Sequence, residues 1–501
     1  MIAVARTFSL VGVEAEPVYV EADVGRGLPA FAIVGLPDTS VRESRERVRS
    51  ALLNSGFSFP MQRITANLAP AHLKKAGPGF DLAIAAALLA SSGQIDVHVL
   101  DRYALAGELA LDGTIRPVPG ALAMAEAARS LGLQGIAVAS QDAGQARLVD
   151  GLEVIAIEHV SRLTDLAAGS LASVPREATS DLCVASQDDA PDLEDLRGQP
   201  TLRRALEIAA AGGHSMLLTG PPGAGKTLAA RRLPSLLPPL ERCEALEVLR
   251  IAGACRGTGD GVLPVGRPFR APHHSASARA LIGGGSPPRP GEVTRAHRGV
   301  LFLDELGEFR RDSLEALRQP LERGSVTLAR AGGVVSMPCS FMLVAASNPC
   351  PCGHGRDSGR CECNPAFAAR YASKLSGALA DRIDVQIQVD RPSAEALSGD
   401  PGEPSRRVRD RVRQARERQE SRLGPGRCNG ATEGPELRRT GCFDEGARAA
   451  MELGHAQLGL SGRGWDRVLG VARTIADLGG EAHVAELHVS EALNLRRRGG
   501  P

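Results

Sequence analysis

The feature that most constrains this chain is the octet Gly-Pro-Pro-Gly-Ala-Gly-Lys-Thr at residues 220–227. A short apolar run, 214–219, precedes it, and a segment of helix-forming residues, 228–233, follows it. Strand, glycine-rich loop and helix is the context of a phosphate-binding loop, whose backbone N–H groups converge on phosphates at a helix N-terminus. The alternative is a glycine-rich turn that binds nothing. The predicted nucleotide-binding residues are Gly220, Pro221, Pro222, Gly223, Ala224, Gly225, Lys226 and Thr227.

Two apolar segments farther along the chain end in polar residues. One ends in the acidic pair Asp304 and Glu305, and the other ends in Asn348. We expect Asp304 to bind Mg²⁺ together with the hydroxyl of Thr227, because both offer oxygen ligands. We expect Glu305 to polarise the attacking water and Asn348 to orient that water at the γ-phosphate. The three segments together predict an ATP- and Mg²⁺-dependent NTPase with an α/β core of the AAA+ P-loop kind.

Composition excludes several other classes of protein. The 501 residues carry a net charge of +1, so there is no strongly basic field of the kind that marks a histone-like binder. Aromatic residues make up 3% of the chain, which argues against recognition by base stacking. We find no apolar stretch long enough to span a membrane and no secretory leader, so we expect a cytoplasmic protein. Its ten cysteines therefore do not predict a disulfide framework.

Changes in composition divide the chain into four parts. The N-terminal part alternates apolar strands, such as 18–22 and 63–68, with helices such as 81–90. Polar, aperiodic stretches rich in Ser, Asp, Pro and Gly separate the later parts. The predicted parts are an α/β domain at 1–168, a linker at 169–192, the ATPase core at 193–391 with an inserted cysteine loop at 350–363, and a helical lid domain at 392–501.

The cysteine loop has the spacing of a metal site. Cys350 and Cys352 form one pair, and Cys361 and Cys363 form another. In extended backbone, residues two apart face the same side, so each pair presents two sulfurs to one ion. Four thiolates with no open position suit structural Zn²⁺, and His354 is an alternative ligand. The same spacing is compatible with four reduced, unligated cysteines or with a redox-sensing pair.

Three short runs carry a resemblance to a known family. Residues 267–275 read Arg-Pro-Phe-Arg-Ala-Pro-His-His-Ser, and the runs 283–285 and 290–292 read Gly-Gly-Gly and Pro-Gly-Glu. These runs resemble the magnesium-chelatase-like AAA+ ATPases, and the whole layout is similar to the bacterial ComM/YifB proteins. The resemblance implies a hexameric ring that translocates DNA, acting in branch migration during natural transformation. It implies duplex or branched DNA as the partner. Contact through phosphates alone, which fits the low aromatic content, predicts little sequence specificity.

The resemblance also assigns roles to arginines. Residues 379–384 match the arginine-finger segment, so Arg382 would reach the γ-phosphate held by a neighbouring subunit. The alternative is a surface ion pair with Asp381 or Asp384. Residues 461–467 resemble the second-sensor helix of the lid. We choose Arg463 as the sensor and keep Arg467 as the second candidate, with helix-surface arginines as the alternative.

Two arginine-bearing segments are candidates for contact with DNA. Residues 326–335 predict a hairpin with a Gly-Gly turn, and in this AAA+ branch that hairpin points into the ring's pore. Arg330 beside the turn would then contact phosphates; the alternative is a turn-stabilising arginine on the outer surface. The arginine-rich segment 406–422 is a possible DNA-binding stripe. We favour a solvated lid helix packed on its apolar face.

The N-terminal domain resembles the Lon-protease fold at residues 75–81 and 107–113. A working site there needs a serine nucleophile and a lysine base, but the nucleophile position falls on Gly79 and no lysine lies between Lys75 and Lys226. We therefore predict a degenerate domain without peptidase activity. Three other functions compete with a DNA motor: a magnesium-chelatase-type ATPase subunit driving metal into a porphyrin, an ATP-dependent protease, and an ATP-switched interaction protein.

Overall fold

A computed structural model describes residues 2–174, 191–256, 264, 266–330, 333–355, 359, 361–375, 379 and 382–496. Residues 175–190, which form most of the predicted linker 169–192 and include Cys183, lie outside this part. Two large sheets and a C-terminal group of helices organise the described residues. None of the described helices is long and apolar enough to cross a membrane.

A seven-stranded mixed sheet organises the N-terminal part of the chain. Its first two strands form a long antiparallel hairpin, and Gly12 in the turn has φ +68°, a conformation that favours glycine. The predicted strands 18–22 and 63–68 lie within the second and fourth strands. The strands are β1 (Ile2–Val11), β2 (Glu14–Gly25), β3 (Ala30–Val34), β4 (Arg63–Ala69), β5 (Tyr103–Ala106), the short pair β6 (Glu108–Leu109) and β7 (Ile115–Arg116), β8 (Gly135–Ala139) and β9 (Glu153–Ile157). The order across the large sheet is β3-β4-β2-β1-β5-β8-β9.

A helix of small and apolar residues packs on this sheet. It spans Asp81–Ser91 and is buried along its whole length, which confirms the predicted helix at 81–90. A helix that is apolar all round needs cover on every side, and this one lies against the first two strands and the preceding helix. Its first residue, Asp81, accepts a hydrogen bond of 2.7 Å from Arg47 Nε. The helices are α1 (Thr39–Asn54), α2 (Asp81–Ser91), α3 (Val99–Arg102), α4 (Ala121–Ser130), α5 (Ser140–Ala146) and α6 (Leu163–Ala167).

Five parallel strands form the sheet of the core. The carboxyl ends of parallel strands lie at the same edge, and in open α/β sheets ligands bind at that edge. The strands of this part are β10 (Met216–Thr219), β11 (Phe269–Arg270), the short pair β12 (Gly283–Gly284) and β13 (Arg289–Pro290), β14 (Val300–Leu303), the hairpin β15 (Ser325–Arg330) and β16 (Gly333–Pro338), β17 (Met342–Ser347) and β18 (Val385–Gln388). The order β11-β14-β17-β10-β18 brings the phosphate loop after β10, the acidic pair after β14 and Asn348 after β17 to one edge.

Helices cover both faces of the core sheet. The helix after the phosphate loop spans Lys226–Leu236, which contains the predicted helical segment 228–233. The antiparallel hairpin of β15 and β16 confirms the predicted hairpin, although residues 331 and 332 lie outside the described part. The helices are α7 (Pro200–Gly212), α8 (Lys226–Leu236), α9 (Arg242–Arg256), α10 (Ala278–Ile282), α11 (Glu292–Arg295), α12 (Arg311–Ala316), α13 (Arg318–Arg323), α14 (Pro365–Leu375) and α15 (Ala394–Ser398).

The N-terminal part packs directly on the core. Ala245 and Leu249 of α9 belong to the same hydrophobic cluster as Leu122 and Met124 of α4. At a second place, the turn between β1 and β2 contacts the hairpin of β15 and β16. A Cβ atom at Gly12 would lie only 2.9 Å from a methyl carbon of Val335. Two separate contacts therefore join the N-terminal sheet to the ATPase core.

The C-terminal part consists of helices that share a hydrophobic cluster with the core sheet. Val471 and Ile475, on the buried face of the fourth of these helices, belong to the same cluster as Leu206 and Met216 of the core. The helices are α16 (Ser405–Leu423), α17 (Gly434–Thr440), α18 (Glu445–Leu458), α19 (Gly462–Gly479) and α20 (Glu486–Asn494).

The arginine-rich helix α16 uses many of its arginines for contacts within the chain. Arg411 contacts Glu403 and Glu207, while other arginines of the helix donate to backbone carbonyls or to Asp477. The arginines that donate hydrogen bonds within the chain include Arg409, Arg411, Arg416, Arg418 and Arg422. The buried face of the helix carries Val408, Val412 and Ala415. These contacts favour the lid-helix interpretation of segment 406–422 over a DNA-binding stripe.

Candidate nucleotide site and cysteine loop

The phosphate loop has the backbone that its glycines predict. Gly223 and Gly225 adopt φ values of +78° and +89°, and Gly225 is the residue that caps helix α8. At Gly220 a Cβ atom would lie 2.1 Å from the carbonyl oxygen of Val389, so a side chain is excluded there. The loop therefore exposes N–H groups at the positive end of α8, which is the arrangement that binds phosphates.

Lys226 lies at the centre of this loop and is 8% exposed. Its Nζ donates to the carbonyl oxygens of Gly220 and Pro221, at 2.6 and 2.9 Å, and to Asn348 Oδ1 at 3.1 Å. Burial lowers the pKa of Lys226, and the negative charges of nearby Asp304 and Glu305 oppose that shift. Three oxygen atoms already surround the ammonium group, and phosphate oxygens are acceptors of the same kind, so ATP fits this site.

The predicted magnesium ligands are in direct contact. Thr227 Oγ1 donates to Asp304 Oδ2 at 2.8 Å, which joins the start of α8 to the end of β14. The other oxygen of Asp304 accepts from the backbone N–H of Glu305 at 2.9 Å. A hydroxyl and a carboxylate at this separation form a donor set of oxygen atoms, as Mg²⁺ requires, and the ion would keep water and phosphate oxygens as its other ligands.

Glu305 has an unusual backbone conformation at the end of β14. Its φ of 53° lies in the left-handed region, and its side chain is 54% exposed. This side chain is in contact with His274, whose Nδ1 lies 3.2 Å from Glu305 Oε2. In the sequence, His274 belongs to the run that carries the family resemblance, and no local signal gives it a role of its own. The contact depends on two segments meeting in three dimensions, which no local pattern indicates.

The predicted arginine finger, Arg382, and the predicted sensor, Arg463, contact one carboxylate of their own chain. Arg382, which is 9% exposed, donates to Glu322 Oε1, and Arg463 Nη2 lies 3.4 Å from the same oxygen. The hydrogen bond from Arg382 holds the pKa of Glu322 below its ordinary value. The alternative for Arg382 was an ion pair with Asp381 or Asp384, whereas the partner that the structure describes for Arg382 is Glu322. Asp384 is paired with Arg467 at 3.1 Å, and Asp381 lies outside the described residues.

Arg467 has a packing role in this arrangement. Its Nε contacts the buried Asp384, and its Nη1 donates to the carbonyl oxygen of Gly430 at 3.2 Å. Asp384 also contacts His214 Nδ1 at 3.1 Å, so the pair joins α19 to the base of the core sheet. Of the two sensor candidates, Arg463 has the more exposed side chain, at 64%, whereas Arg467 is 33% exposed and contacts the buried Asp384.

The four cysteines of the loop converge. Their sulfur atoms all lie within 4.8 Å of one another, and they form the candidate metal group found among the described residues, so the alternative ligand His354 is not part of it. Cys350 Sγ lies 3.2 Å from that of Cys352 and 3.7 Å from that of Cys361. In a zinc tetrahedron with Zn–S bonds of about 2.3 Å, neighbouring sulfurs are about 3.8 Å apart. The donor set and its spacing therefore fit Zn²⁺.

The cysteine loop packs against the phosphate loop. Gly353, with φ +83°, lies directly after Cys352, and a Cβ atom there would be 2.7 Å from Pro222 Cδ. The carbonyl oxygen of Pro222 also accepts a hydrogen bond of 3.0 Å from Arg391 Nε. A structural ion among the cysteines would thus support the phosphate loop as well as the segment that follows Asn348.

Two further predictions concern the hairpin of β15 and β16 and the N-terminal domain. The backbone of Arg330 pairs with Gly333 across the hairpin, but its side chain lies outside the described part, so its contact with DNA stays a prediction. In the N-terminal domain, Lys75 is fully buried and donates to the carbonyl oxygen of Pro70. Gly79 lies beside Val118. The buried lysine therefore serves a contact within the fold.

Comparison with known proteins gives the family. Models described as "Subunit ChlI of Mg-chelatase", "Magnesium chelatase, subunit ChlI" and "Magnesium chelatase, subunit ChlI C-terminal" match residues 20–142, 192–397 and 402–496. The chain is 42% identical over 497 residues to YifB of Escherichia coli (strain K12), which covers 99% of the chain and 97% of YifB. The chain belongs to the magnesium-chelatase-like AAA+ family. Within that family it is also 40% identical over 502 residues to the competence protein ComM of Haemophilus influenzae, covering 99% of the chain and 97% of ComM.

The similarity to a magnesium-chelatase subunit is shorter. The 67 kDa subunit from Heliobacterium mobile is 28% identical over 183 residues, which is 31% of the chain and 27% of that subunit. The predicted family resemblance is therefore confirmed over the whole chain for YifB and ComM. Membership of this AAA+ family supports the P-loop fold, and the structure has the mixed α/β architecture with a parallel sheet that agrees with it.

Proposed function

We propose that the chain is an ATP-hydrolysing AAA+ ring motor that acts on DNA, as a branch-migration helicase in natural transformation or recombination. The observation that carries the proposal is the convergence of Lys226, Thr227, Asp304 and Asn348 at one sheet edge. The near full-length similarity to the competence protein ComM supports a role connected with competence. ATP and chromosomal DNA are both cytoplasmic, so we place the protein there.

Different residues of the chain have different proposed roles in hydrolysis. Bound ATP supplies the phosphoanhydride bond, and Mg²⁺ neutralises charge on its phosphates. Lys226 and the loop N–H groups would hold the phosphates, while Thr227 and Asp304 would hold the ion. Glu305 would accept the proton of the attacking water, and Asn348 would orient that water.

The two arginines would complete the site from outside the phosphate loop. We propose that Arg382 acts on the nucleotide of a neighbouring subunit and that Arg463 senses the nucleotide of its own. Both contacts require release from Glu322, the carboxylate that they share within the single chain. A site completed by a neighbour makes a ring, most simply a hexamer, the active form.

The three parts of the chain have different proposed roles. We propose that residues 193–391 are the motor core and that 392–501 form its lid, since α16 and α19 share a hydrophobic cluster with the core. Residues 1–168 would be a degenerate Lon-protease-like scaffold, with 169–192 as a linker. Gly79 at the nucleophile position, and no lysine between Lys75 and Lys226, argue against protease chemistry in this domain.

The cysteine loop is proposed to hold structural Zn²⁺ through Cys350, Cys352, Cys361 and Cys363. The contact between Gly353 and Pro222 gives this ion an effect on ATP binding. Removing the ion with a chelator should therefore lower ATPase activity through local loss of structure. Restoring Zn²⁺ should recover the activity, and Mg²⁺ added in the same amount should not.

DNA is proposed to pass along the hairpin of β15 and β16, with Arg330 contacting phosphates. Phosphate contacts do not distinguish one base from another, so we expect weak sequence specificity. Because the contacts are electrostatic, binding should depend strongly on salt. The decisive experiment measures the ATPase rate with and without forked or four-way DNA. Stimulation by DNA supports the motor. A rate that rises only with a porphyrin-binding partner would support the magnesium-chelatase alternative instead.

A further inference from the structure

The N-terminal domain has no part in the proposed chemistry, yet it contacts the hairpin that is proposed to bind DNA. The contact is made by the turn between β1 and β2. Val13 in this turn is 1% exposed and belongs to the same hydrophobic cluster as Val326, Leu328 and Met337 of the hairpin. The other buried residues of that cluster lie between 217 and 383. One residue of the N-terminal sheet is therefore packed into the interior of the ATPase core.

The backbone of the same turn lies directly against strand β16. A Cβ atom at Gly12 would be 2.9 Å from Val335 Cγ1 and 3.3 Å from Met337 Cγ. Met337 is fully buried, and it also lies against β12, where a Cβ atom at Gly283 would be 3.4 Å from Met337 Cε. Two glycine backbones from different parts of the chain thus contact one methionine, at the end of the hairpin that is away from its turn.

A second contact fixes the position of the N-terminal domain on the core. Arg250 Nη1 of α9 lies 3.4 Å from Glu126 Oε2 of α4, and Arg242 Nη2 donates to the carbonyl oxygen of Leu148 at 3.1 Å. These polar contacts accompany the hydrophobic packing of α9 on α4. A domain that is held at two places cannot rotate about either one, so the whole domain keeps the turn against β16.

The hairpin is also connected to the nucleotide site. Leu303 and Leu306, on either side of the acidic pair, belong to the same buried cluster as Val13. Close-packed side chains transmit a displacement from one element to the next. We propose that Gly12 and Val13 are positioning residues that hold the hairpin of β15 and β16 in the path of DNA, and that the N-terminal domain thereby sets the response of the ATPase to DNA. The inference rests on the proposed DNA motor and gives the degenerate domain a role in it.

The first test is a Gly12→Ala variant of the full-length chain. Its new methyl group meets Val335, so the hairpin must shift. We expect the concentration of forked DNA that half-maximally stimulates the ATPase to rise roughly fivefold, with kcat without DNA and KM for ATP unchanged. Gly132→Ala is the matched control, because Gly132 lies in the same domain at φ +71°, close to the +68° of Gly12, and nothing lies within 4 Å of its Cβ position.

A second substitution asks whether the effect comes from the contact itself. Adding Val335→Ala to Gly12→Ala removes the methyl carbon that the new Cβ atom meets, and it should return the DNA response toward that of wild type. Strain in the turn alone would not be relieved in this way, because φ at residue 12 is unchanged. Equal DNA responses in Gly12→Ala and Gly132→Ala, or no recovery in the double variant, would overturn the positioning role.

Hydrogen exchange separates this inference from the proposed function, because it needs neither DNA nor ATP. The backbone amides of β15 and β16 should exchange roughly fivefold faster in Gly12→Ala than in Gly132→Ala, since a displaced hairpin opens more readily. A wild-type ATPase that does not respond to DNA would reject the motor, while faster exchange would still support the contact. Equal exchange in the two variants, with stimulation of wild type by DNA, would overturn the positioning role and leave the motor proposal standing.

Discussion

Lys75 in the N-terminal domain and Lys226 in the core make a useful comparison, because both are buried and both donate to backbone carbonyls. Burial lowers the pKa of each. The difference lies in the neighbours. Lys226 is surrounded by Asn348 and the acidic pair after β14 at a loop that opens toward solvent, whereas Lys75 is closed in by the fold. A buried lysine becomes a binding group when other polar groups converge on the same open edge.

Replacing Lys226 tests the functional side of this comparison and should have the largest effect. Lys226→Ala should weaken ATP binding by roughly a hundredfold or more, because the phosphates lose a charge-assisted partner. Titration with a fluorescent ATP analogue measures the change. Lys74→Ala, which removes an exposed lysine, is the matched control. Normal nucleotide affinity in Lys226→Ala would mean that Lys226, like Lys75, has no part in binding ATP. That result would contradict the proposed nucleotide site.

The second prediction asks whether the site around Lys226 is shared between subunits. Arg382→Ala should bind ATP nearly normally and lose about 10³-fold in hydrolysis, if the arginine stabilises transition-state charge as such residues do. Mixing Arg382→Ala with Lys226→Ala should restore part of the activity. A Lys226→Ala subunit still offers its arginine to a neighbour with an intact loop. With subunit exchange shown independently, no gain on mixing would contradict a shared site.

The third prediction tests the support that the cysteine loop gives to the phosphate loop. Gly353→Ala should weaken ATP binding roughly fivefold, because the new methyl group meets Pro222 and a packed contact must shift. Gly359→Ala is the matched control: it also has a positive φ, +64°, but nothing lies within 4 Å of its Cβ position. Zinc content should be the same in both variants. Equal affinity in the two would mean that the cysteine loop does not support Pro222.

The smallest effect on ATP binding is expected from replacing Lys75. Lys75→Met should leave ATP affinity unchanged and shift the thermal midpoint by no more than about 3 °C at neutral pH. Because burial depresses the pKa of Lys75 in the folded state, the unfolded chain binds more protons as the pH approaches the ordinary lysine value. Wild type should therefore gain stability relative to Lys75→Met as the pH rises from the lowered pKa of the folded state toward the ordinary lysine value. A loss of ATP affinity would contradict a purely structural lysine.

The predicted site residues that the structure brings together belong to motifs whose members are close in the chain. The phosphate loop, the strand ending in Asp304 and the cysteine pairs each combine a local spacing with a known chemistry. Their meeting at one edge follows from parallel strand order, which the alternation of strands and helices already favours. The hairpin of β15 and β16 was predictable for the same reason, since a Gly-Gly turn between apolar runs is a local signal.

The contacts that sequence analysis missed join distant side chains. Glu322 accepts Arg382 and Arg463 from two other segments, and His274 reaches Glu305 from a third. Each contact depends on side-chain rotamers and on how several helices and strands pack together. Sequence periodicity does not indicate either. Asp384, one of the two alternative partners of Arg382, illustrates the same point. Asp384 is close to Arg382 in sequence, but it is buried against Arg467 and His214.

The packing of helix α9 on the N-terminal domain limits how this protein can be divided for biochemical work. A fragment beginning at residue 191 would keep every predicted nucleotide-binding group, yet it would expose Ala245 and Leu249 to water. Such a fragment should be prone to self-association, and adding the separately produced N-terminal piece should restore solubility by covering that surface. Measurements of the motor are therefore best made on the undivided chain.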